Sequence, residues 1–347
     1  MRITLKDIAE KCNVSISTVS RVLNDEATSL SEDERMQIIN TAKELGYRVK
    51  KKTEKNQKKS EIKIGCVLNR MKSKYEDPYF SGIIYGVERE LIEQDRILHF
   101  TYDIRDVVQG NIGEMFPKNE NIGVLCIGPI DHASLEKLSG HVKFMMSVGA
   151  EPDLNIDKVT VNFKQGSMMV VDHLVECGHR EIAFIGGRSP FDMPLEKEQR
   201  FLGFQMAMAK HNMPVNPDWI EDGRFDINGG YEAMKKILSQ KSIPTAVYTA
   251  SDRMAYGAYK AIQEMGLSIP DDIAVASFDD IDMSEFVNPP LTTVRVHKEE
   301  LGRTAARLMI QRMEGTLPLP LLCYLPIELI VRESSGSIYN KIRHPAS

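Results

Sequence analysis

The chain has 347 residues and a formal net charge of −5 at pH 7, with 42% of its residues hydrophobic and 27% charged. This composition predicts a globular protein of two or three domains, and no apolar run is long enough for a membrane span or a signal peptide. Five scattered cysteines without metal-ligand spacing favour reduced thiols in a cytoplasmic protein over a disulfide framework or a metal site.

Residues 1–48 predict three short helices with a tight turn between the first two. Capping boxes begin the first helix at Thr4-Leu5-Lys6-Asp7 and the third at Ser31-Glu32-Asp33-Glu34. Such a bundle is a helix-turn-helix domain, whose second helix enters the major groove of DNA. A three-helix bundle with a solvated polar face is the alternative. Residues 1–60 carry 13 Lys or Arg against 9 Asp or Glu, and this local excess of positive charge favours DNA.

The second helix is expected to begin near Ser15 and to present a polar outer face. Its inward stripe consists of Val19, Val22 and Leu23, and its outer face carries Ile16, Ser17, Ser20 and Arg21. Exposed hydroxyls and amides in a first helical turn suit phosphates and base edges, and an exposed isoleucine suits a thymine methyl group. The third helix is expected to bury Met36, Ile39, Ala42 and Leu45.

The stretch "TLKDIAEKCNVSISTVSRVLN", with "ELGYR" at residues 44–48, resembles the head of the lactose-repressor/galactose-repressor (LacI/GalR) family of bacterial transcription regulators. The resemblance implies that Ile16 and Ser17 read bases. It also implies contacts to phosphates or the adjoining backbone from Thr4, Ser15, Thr18, Ser20, Arg21 and Asn24.

Residues 49–61, "VKKKTEKNQKKSE", are highly charged, lack apolar periodicity and predict a linker. Family members usually carry here a Pro-Asn pair, an Ala-Arg pair and a leucine that wedges into the minor groove. This chain lacks the proline, the arginine and the leucine. We expect Lys50, Lys51 and Lys52 to contact phosphates instead, which would make binding strongly salt dependent. A solvated tether without DNA contacts is the alternative.

From residue 62 the sequence alternates short apolar strands with amphipathic helices, which predicts two lobes of doubly wound parallel sheet, an α/β body behind an all-α head. The stretches "HLVECGHREIAFIGG" and "NPPLTTVRVHKEELGRTAARLMIQRMEG" resemble the periplasmic-binding-protein-like core of the same family. The resemblance implies crossings between lobes near residues 159–163, 288–294 and 318–325. The implied bounds are lobe 1 at 62–160 and 291–319, lobe 2 at 161–290 and 320–335, and a tail at 336–347 without a heptad pattern.

The family resemblance also implies a sugar or similar small molecule in the cleft between the lobes. Arg200 and Asp279 would bind its hydroxyls, since charged planar groups can bond adjacent hydroxyls. The further candidates are Tyr79, Phe80, Phe225, Ser251 and Asp252. Asp252 is more simply a helix cap, and Phe225 is as readily a core residue.

The sequence therefore predicts a repressor of carbohydrate-utilisation genes, a homodimer that binds double-stranded operator DNA under the control of a sugar-like effector. We expect no enzymatic activity, cofactor, metal or membrane partner, because no phosphate-binding glycine loop, nucleophile motif or metal spacing occurs. A regulator that needs its ligand as corepressor or coactivator is one alternative. A sugar-binding protein without a DNA function is the other.

Overall fold

The computed structural model describes residues 3–23, 30–45, 47, 62–69, 77–118, 120–188 and 194–336. The chain divides into two compact units, residues 1–61 and 62–347, and each is described by itself. Asn24, the predicted linker with Lys50 and Lys51, and the tail beyond residue 336 lie outside the described residues. Within the described part of the chain, no helix is both long and apolar enough to cross a membrane.

The N-terminal unit contains three helices, α1 (Leu5–Cys12), α2 (Ile16–Leu23) and α3 (Glu32–Glu44). The acidic residues of both predicted capping boxes reach back to the residue before the helix. Asp7 Oδ2 accepts bonds from the Thr4 amide and hydroxyl at 2.7 and 2.8 Å. Glu34 Oε2 accepts bonds from the Ser31 amide and hydroxyl at 2.9 and 2.7 Å. Asn13 follows α1 in the left-handed conformation, with φ at 53°, so the chain turns directly into α2.

The core of this unit is formed by Ile8, Ala9, Val19, Val22, Ile38 and Ala42. The prediction that α2 turns Val19 and Val22 inward is confirmed. The prediction that α3 buries Met36 is wrong, because Met36 is 53% exposed and Ile38 is buried instead. Residues two apart on a helix point in nearly opposite directions, so a core-facing residue at position 38 leaves position 36 in solvent.

The second unit alternates strands and helices, as predicted. Its elements, in chain order, are β1 (Ile62–Leu68), α4 (Pro78–Glu93), β2 (Leu98–Asp103), α5 (Ile104–Gln109), α6 (Ile112–Met115), β3 (Asn121–Ile127), α7 (His132–Ser139), β4 (Phe144–Val148), β5 (Asp157–Val161), α8 (Phe163–Glu176), β6 (Ile182–Gly186), α9 (Gln199–Lys210), β7 (Ile220–Asp222), α10 (Ile227–Leu238), β8 (Ala246–Thr249), α11 (Asp252–Glu264), β9 (Ala274–Asp279), β10 (Thr292–Val296), α12 (Lys298–Met313), β11 (Leu322–Leu325) and β12 (Ile327–Ile330).

Two six-stranded sheets define the two lobes. The first lobe has the strand order β11-β5-β4-β3-β1-β2 and the second the order β12-β10-β9-β8-β6-β7. Neighbouring strands are parallel except for the β10–β12 pair. In β1, Cys66 and Leu68 pack in one core and Val67 in another, so the sheet is buried on both faces. The predicted doubly wound parallel architecture is therefore confirmed.

Strand pairing corrects the predicted lobe segments 291–319 and 320–335. Strand β10 pairs with β9 and β12, so it belongs to the second lobe, whereas the prediction assigned it to the first. Strand β11 pairs with β5 in the first lobe, whereas the prediction assigned it to the second. The chain therefore changes lobes after β5, at His297 between β10 and α12, and at Pro326 between β11 and β12. The last two crossings lie C-terminal to their predicted places because hydrogen-bonding partners, which periodicity does not reveal, decide the sheet.

Candidate functional site

The first turn of α2 keeps its predicted polar outer face. The Ser15 hydroxyl accepts a bond from the Thr18 amide at 3.0 Å and lies 2.7 Å from the hydroxyls of Ser17 and Thr18. Ile16 is 48% exposed beside them, and Arg21 is exposed at the other end of the helix. Hydroxyls and an exposed apolar side chain at a helix N-terminus are the groups that base edges and phosphates in a major groove would contact.

The other predicted DNA contacts are less clearly placed. Ser20 is half-buried, and the Thr4 hydroxyl donates to Asp7, so Thr4 already acts as part of a cap. Asn24, Lys50 and Lys51 lie outside the described residues, and their contacts stay predictions.

A cavity of about 670 Å³ lies at the carboxyl ends of both sheets and is lined by both lobes. The first lobe contributes Asn69 after β1 and the segments that follow β3 and β4. The second lobe contributes Gly187 after β6, Ser251 after β8 and Asp279 at the end of β9. Parallel strands bring their carboxyl ends to one edge of a sheet, which is where open α/β proteins bind ligands.

Arg200 lies in the second-lobe wall of this cavity, in the first turn of α9. Glu198 caps α9, since its Oε2 accepts bonds from the amides of Arg200 and Phe201 at 2.8 and 2.9 Å. Glu198 Oε1 accepts a bond from Arg200 Nη1 at 2.9 Å, and Arg200 Nη2 lies 3.9 Å from Asp279 Oδ1. Burial by itself would lower the pKa of Arg200, but the two carboxylates raise it above its ordinary value. Arg200 is therefore a fixed cation at the cavity surface.

Asp279 faces Arg200 from an unusual backbone turn. Asp279 and Asp280 both have positive φ angles, 113° and 49°. Such conformations cost a non-glycine residue about 1–3 kcal/mol and often occur where a ligand is held. Lys298 Nζ donates to the carbonyl oxygens of Asp279 and Asp280 at 2.7 and 2.8 Å and holds this turn in place. Burial raises the pKa of the Asp279 carboxyl well above its usual range, and Arg200 offsets part of this increase.

Three aromatic rings surround the Arg200 guanidinium. Its Cζ lies 4.2 Å from the ring centre of Phe163, 4.9 Å from that of Phe278 and 5.6 Å from that of Phe225. Phe163 and Phe225 also line the cavity. A Cβ at Gly187 would lie 2.2 Å from the Phe225 ring, so a glycine is needed there for the ring to lie against the strand end. Phe225 is thus a partly buried ring that lines the cavity and also packs against the core.

The predicted first-lobe residues Tyr79 and Phe80 lie at the start of α4, in the first-lobe wall of the cavity. Both line the cavity, and their rings meet edge to face with centres 5.4 Å apart. Burial raises the pKa of the Tyr79 hydroxyl, which stays protonated and can donate a hydrogen bond. A Cβ at Gly128, where φ is 76°, would lie 2.7 Å from the Phe80 ring.

Several residues that line the cavity have a buried polar atom without a hydrogen-bond partner. Among the described residues, those with no hydrogen-bond partner that line this cavity are Tyr79 Oη, Asp131 Oδ2, Arg200 Nε and Asp279 Oδ1. An unsatisfied buried donor or acceptor costs about 1–3 kcal/mol. A molecule that carries both hydroxyl donors and acceptors, together with an apolar ring face, would satisfy these atoms.

Asp252 does not line the cavity, and its predicted ligand role is wrong. Asp252 is fully buried, and its Oδ2 accepts bonds from the Ile281 amide and the Ser284 hydroxyl at 2.9 and 2.7 Å. Its Oδ1 accepts a bond from the Thr293 hydroxyl at 2.6 Å, so both carboxylate oxygens are occupied within the protein. Ser251 does line the cavity and caps α11, and its hydroxyl accepts a bond from the Met254 amide at 3.5 Å.

Eight charged residues at the cavity were not predicted from the sequence: Asp77, Asp131, Glu151, Asp153, Lys197, Glu198, Asp226 and Arg253. Asp131 and Glu198 are the N-caps of α7 and α9. Asp131 comes four residues after the end of β3, and its place just after a buried strand could have indicated it. Arg253 Nη1 donates to Asp77 Oδ2 at 3.0 Å, a contact between α11 of the second lobe and the N-cap of α4 in the first.

Comparisons with known proteins agree with this arrangement. Residues 4–49 match the family model of bacterial regulatory proteins of the lacI family, and residues 171–335 match a periplasmic binding protein-like domain. The HTH-type transcriptional repressor MelR of Bacillus subtilis is 34% identical over an alignment of 348 positions, which covers 96% of this chain and 98% of MelR. The HTH-type transcriptional regulator GalR of Streptococcus thermophilus is 35% identical over 341 residues, which cover 96% of this chain and 99% of GalR.

Solved structures show the same architecture. A complex of the transcriptional regulator CelR with cellobiose is 26% identical and superposes with a TM-score of 0.69, covering 96% of this chain and 100% of that one. The lac repressor dimer bound to operator and an anti-inducer is 23% identical with a TM-score of 0.70, which is a likeness of fold. MelR is thus a transcriptional repressor and GalR a transcriptional regulator. Its head, its two-lobed body and its full-length relatives together show that the chain belongs to the LacI family of helix-turn-helix transcriptional regulators.

Proposed function

We propose that the protein represses carbohydrate-utilisation genes and that a sugar in the cleft between the two lobes controls its affinity for operator DNA. The observation that carries this proposal is the pairing of Arg200 with Asp279 at the cavity surface, where each keeps a buried polar atom without a partner beside the Phe225 ring. Sugars carry adjacent hydroxyls that can donate and accept at once, and their C–H faces pack on aromatic rings.

One solved relative supports a sugar. CelR is solved with cellobiose, and the match covers 96% of this chain and 100% of CelR. The protein would act in the cytoplasm, where its DNA is, with α2 in the major groove and Ile16 and Ser17 reading bases. A homodimer would place one α2 on each half of a near-palindromic operator. The protein would exist in one conformation that binds DNA and another that does not. Sugar binding would shift the equilibrium between them, and the size of the shift would be set by the difference in their affinities for the sugar.

The first test identifies the operator. We would incubate the purified full chain with fragmented genomic DNA of its host at moderate salt and sequence the retained fragments. We expect a few sites that share one palindrome beside sugar-utilisation genes. The Ile16→Ala variant should retain different or fewer sites, because it removes a base contact. A diffuse set of fragments, the same for both proteins, would contradict specific recognition by α2.

The second test uses that operator with a panel of neutral sugars and measures DNA affinity by fluorescence anisotropy. We expect one class of sugar to change operator affinity, and Arg200→Lys to weaken that sugar's binding by about 100-fold, because losing the bidentate geometry of a buried charge costs several kcal/mol. Arg105→Gln, at a half-exposed arginine outside the cavity, is the control and should change nothing. Release of DNA by the sugar indicates an inducer, and tighter DNA binding indicates a corepressor. A sugar response that survives Arg200→Lys would contradict the proposed site.

A further inference from the structure

One turn of the second lobe, residues 279–281 at the end of β9, borders two cavities. Asp279 and Ile281 line the large cavity described above. Asp280 and Ile281 also line a second, polar cavity of about 280 Å³, together with charged residues of β10 and α12. A segment that borders open space on two sides is held less firmly by packing than a core segment is. Hydrogen bonds must therefore fix the position of this turn.

The second lobe holds the side chain of Asp280 and the amide of Ile281. The Asp280 carboxylate accepts bonds from Arg295 Nε at 2.6 Å and from Arg332 Nη2 at 2.8 Å. The Ile281 amide donates to Asp252 Oδ2 at 2.9 Å. None of these three bonds uses the carbonyl oxygens of the turn, which leaves those oxygens to a donor from elsewhere.

Lys298 reaches these carbonyl oxygens from the first lobe. Its Nζ donates to the oxygens of Asp279 and Asp280 at 2.7 and 2.8 Å. Lys298 is the first residue of α12, which packs on α4 in the first lobe. A Cβ at Gly82 of α4 would lie 3.1 Å from the Lys298 Cβ, so the lysine side chain begins against α4. It therefore connects a first-lobe helix to the backbone of the turn.

The backbone of the turn depends on such bonds because it is strained. The φ angles of Asp279 and Asp280 are 113° and 49°. These conformations are unfavourable for residues other than glycine and persist only where the surroundings enforce them. Two bonds from one ammonium group require two successive carbonyl oxygens to point to the same place. The same backbone carries the Asp279 carboxylate, whose Oδ1 lies 3.9 Å from Arg200 Nη2.

We propose that Lys298 positions Asp279 for the sugar from the other lobe and thereby couples the cleft to the arrangement of the lobes. The ammonium group moves with α12 when the lobes move, and the released turn then relaxes and displaces the Asp279 carboxylate. By linkage, a sugar bound to Asp279 favours the arrangement in which Lys298 reaches the turn. The coupling to sugar rests on the proposed function, whereas the positioning of the turn does not.

The first measurement needs no sugar. Hydrogen–deuterium exchange of the full chain monitors the amides of Asp280 and Ile281. Lys298→Met keeps an unbranched side chain against α4 but has no donor, and we expect it to speed their exchange at least about tenfold. Lys298→Arg can donate to both carbonyls and should stay within about threefold of the parent. Lys137→Met is the matched control, since Lys137 also donates to a carbonyl oxygen, that of Val108, but within the first lobe.

The second measurement uses the operator and the neutral sugar panel, with glucose, galactose and cellobiose among its members. The ratio of operator affinities with and without saturating sugar measures the coupling, which is typically about 5–150-fold. We expect Lys298→Met to reduce this ratio to about twofold or less, because a bound sugar then no longer acts on α12. Lys298→Arg should keep most of the coupling and Lys137→Met all of it. A role of Lys298 in helix packing alone would lower the melting temperature and leave the ratio unchanged.

Unchanged exchange at residues 280 and 281 in Lys298→Met, or an equal increase in Lys137→Met, overturns the proposal whatever the sugars do. A parent-like ratio in Lys298→Met overturns the coupling. If no sugar changes the operator affinity of the parent, the proposed function fails, and exchange alone decides whether Lys298 positions the turn. If Lys298→Met does not fold, Gly82→Ala replaces it, because the added Cβ pushes the lysine side chain away from α4 and should speed the same exchange.

Discussion

Asp252 is a fully buried carboxylate that connects α11 to the turn after β9 and to β10. It accepts bonds from the Ile281 amide and from the hydroxyls of Ser284 and Thr293. Burial raises the pKa of Asp252 to about 6 in spite of these bonds. An unfolded chain has an aspartate pKa of about 3.9. Between these two values the folded protein holds a proton that the unfolded chain has lost, so stability falls as the pH rises from about 4 to about 6.

We predict that Asp252→Asn removes this pH dependence. The pKa shift of about two units corresponds to about 3 kcal/mol of unfolding free energy. At pH 4 the variant should therefore be less stable than the parent, and the difference between their unfolding free energies should shrink by up to that amount by pH 7. Asparagine can keep most of the bonds, whereas Asp252→Ala leaves three donors unpaired and should cost about 2–4 kcal/mol at every pH. Thermal unfolding of the three proteins at several pH values measures this. Parallel pH profiles for the parent and Asp252→Asn would contradict the prediction.

At the scale of elements, α4 and α12 pack backbone to backbone in the first lobe through glycines. A Cβ at Gly86 would lie 2.0 Å from the carbonyl oxygen of Glu299, and a Cβ at Gly302 would lie 2.0 Å from that of Ile83. Both obstacles are backbone atoms, which no rotamer change can move. The N-terminus of α4 carries Tyr79 and Phe80 and α12 begins with Lys298, so this close packing also positions residues of the cavity.

We predict that Gly86→Ala destabilises the protein by several kcal/mol, because the two helices must separate to admit one methyl group. Gly113→Ala is the matched control. Gly113 lies in α6, where the nearest atom to an added Cβ is 3.6 Å away, an ordinary contact. Because alanine favours helix over glycine, that variant should be neutral or slightly stabilised. Differential scanning calorimetry compares the two, and equal transition temperatures would show that α4 and α12 can adjust freely.

Elements and cavity residues differ in how far the sequence could predict them. The alternation of β1, α4 and the later strands and helices is predictable because buried parallel strands are short apolar runs between amphipathic helices. The lobe to which β10 belongs, and the lobe to which β11 belongs, are not predictable in this way. Each depends on hydrogen bonds to strands that are distant in sequence. Ser251 and Asp252 are adjacent at one helix start, yet Ser251 faces the cavity and Asp252 the core. Cap residues and ligand residues share one sequence pattern, and only tertiary contacts separate them.

At the scale of the whole two-lobed unit, two polar contacts join the lobes at the cleft. Lys298 of α12, which packs in the first lobe, donates to the carbonyl oxygens of Asp279 and Asp280 in the second. Arg253 of α11 donates to Asp77 at the start of α4, and these two side chains are 21% and 13% exposed. Movement of the lobes away from each other would break the Arg253–Asp77 pair, so this ion pair stabilises the present arrangement of the two lobes.

We predict that Asp77→Asn and Arg253→Gln each speed the release of a bound sugar about fivefold, the effect of about 1 kcal/mol from a partly buried ion pair. The double variant should release it no faster than either single variant, because both remove the same contact. Asp77 Oδ1 also accepts a hydrogen bond from the Tyr79 amide at 3.0 Å and thereby caps α4. An asparagine at this position can keep the cap, whereas an alanine cannot. Asp77→Ala should therefore lower the melting temperature as well. Stopped-flow release rates measure the effect, and additive rates in the double variant would mean that the two residues act independently rather than as a pair across the cleft.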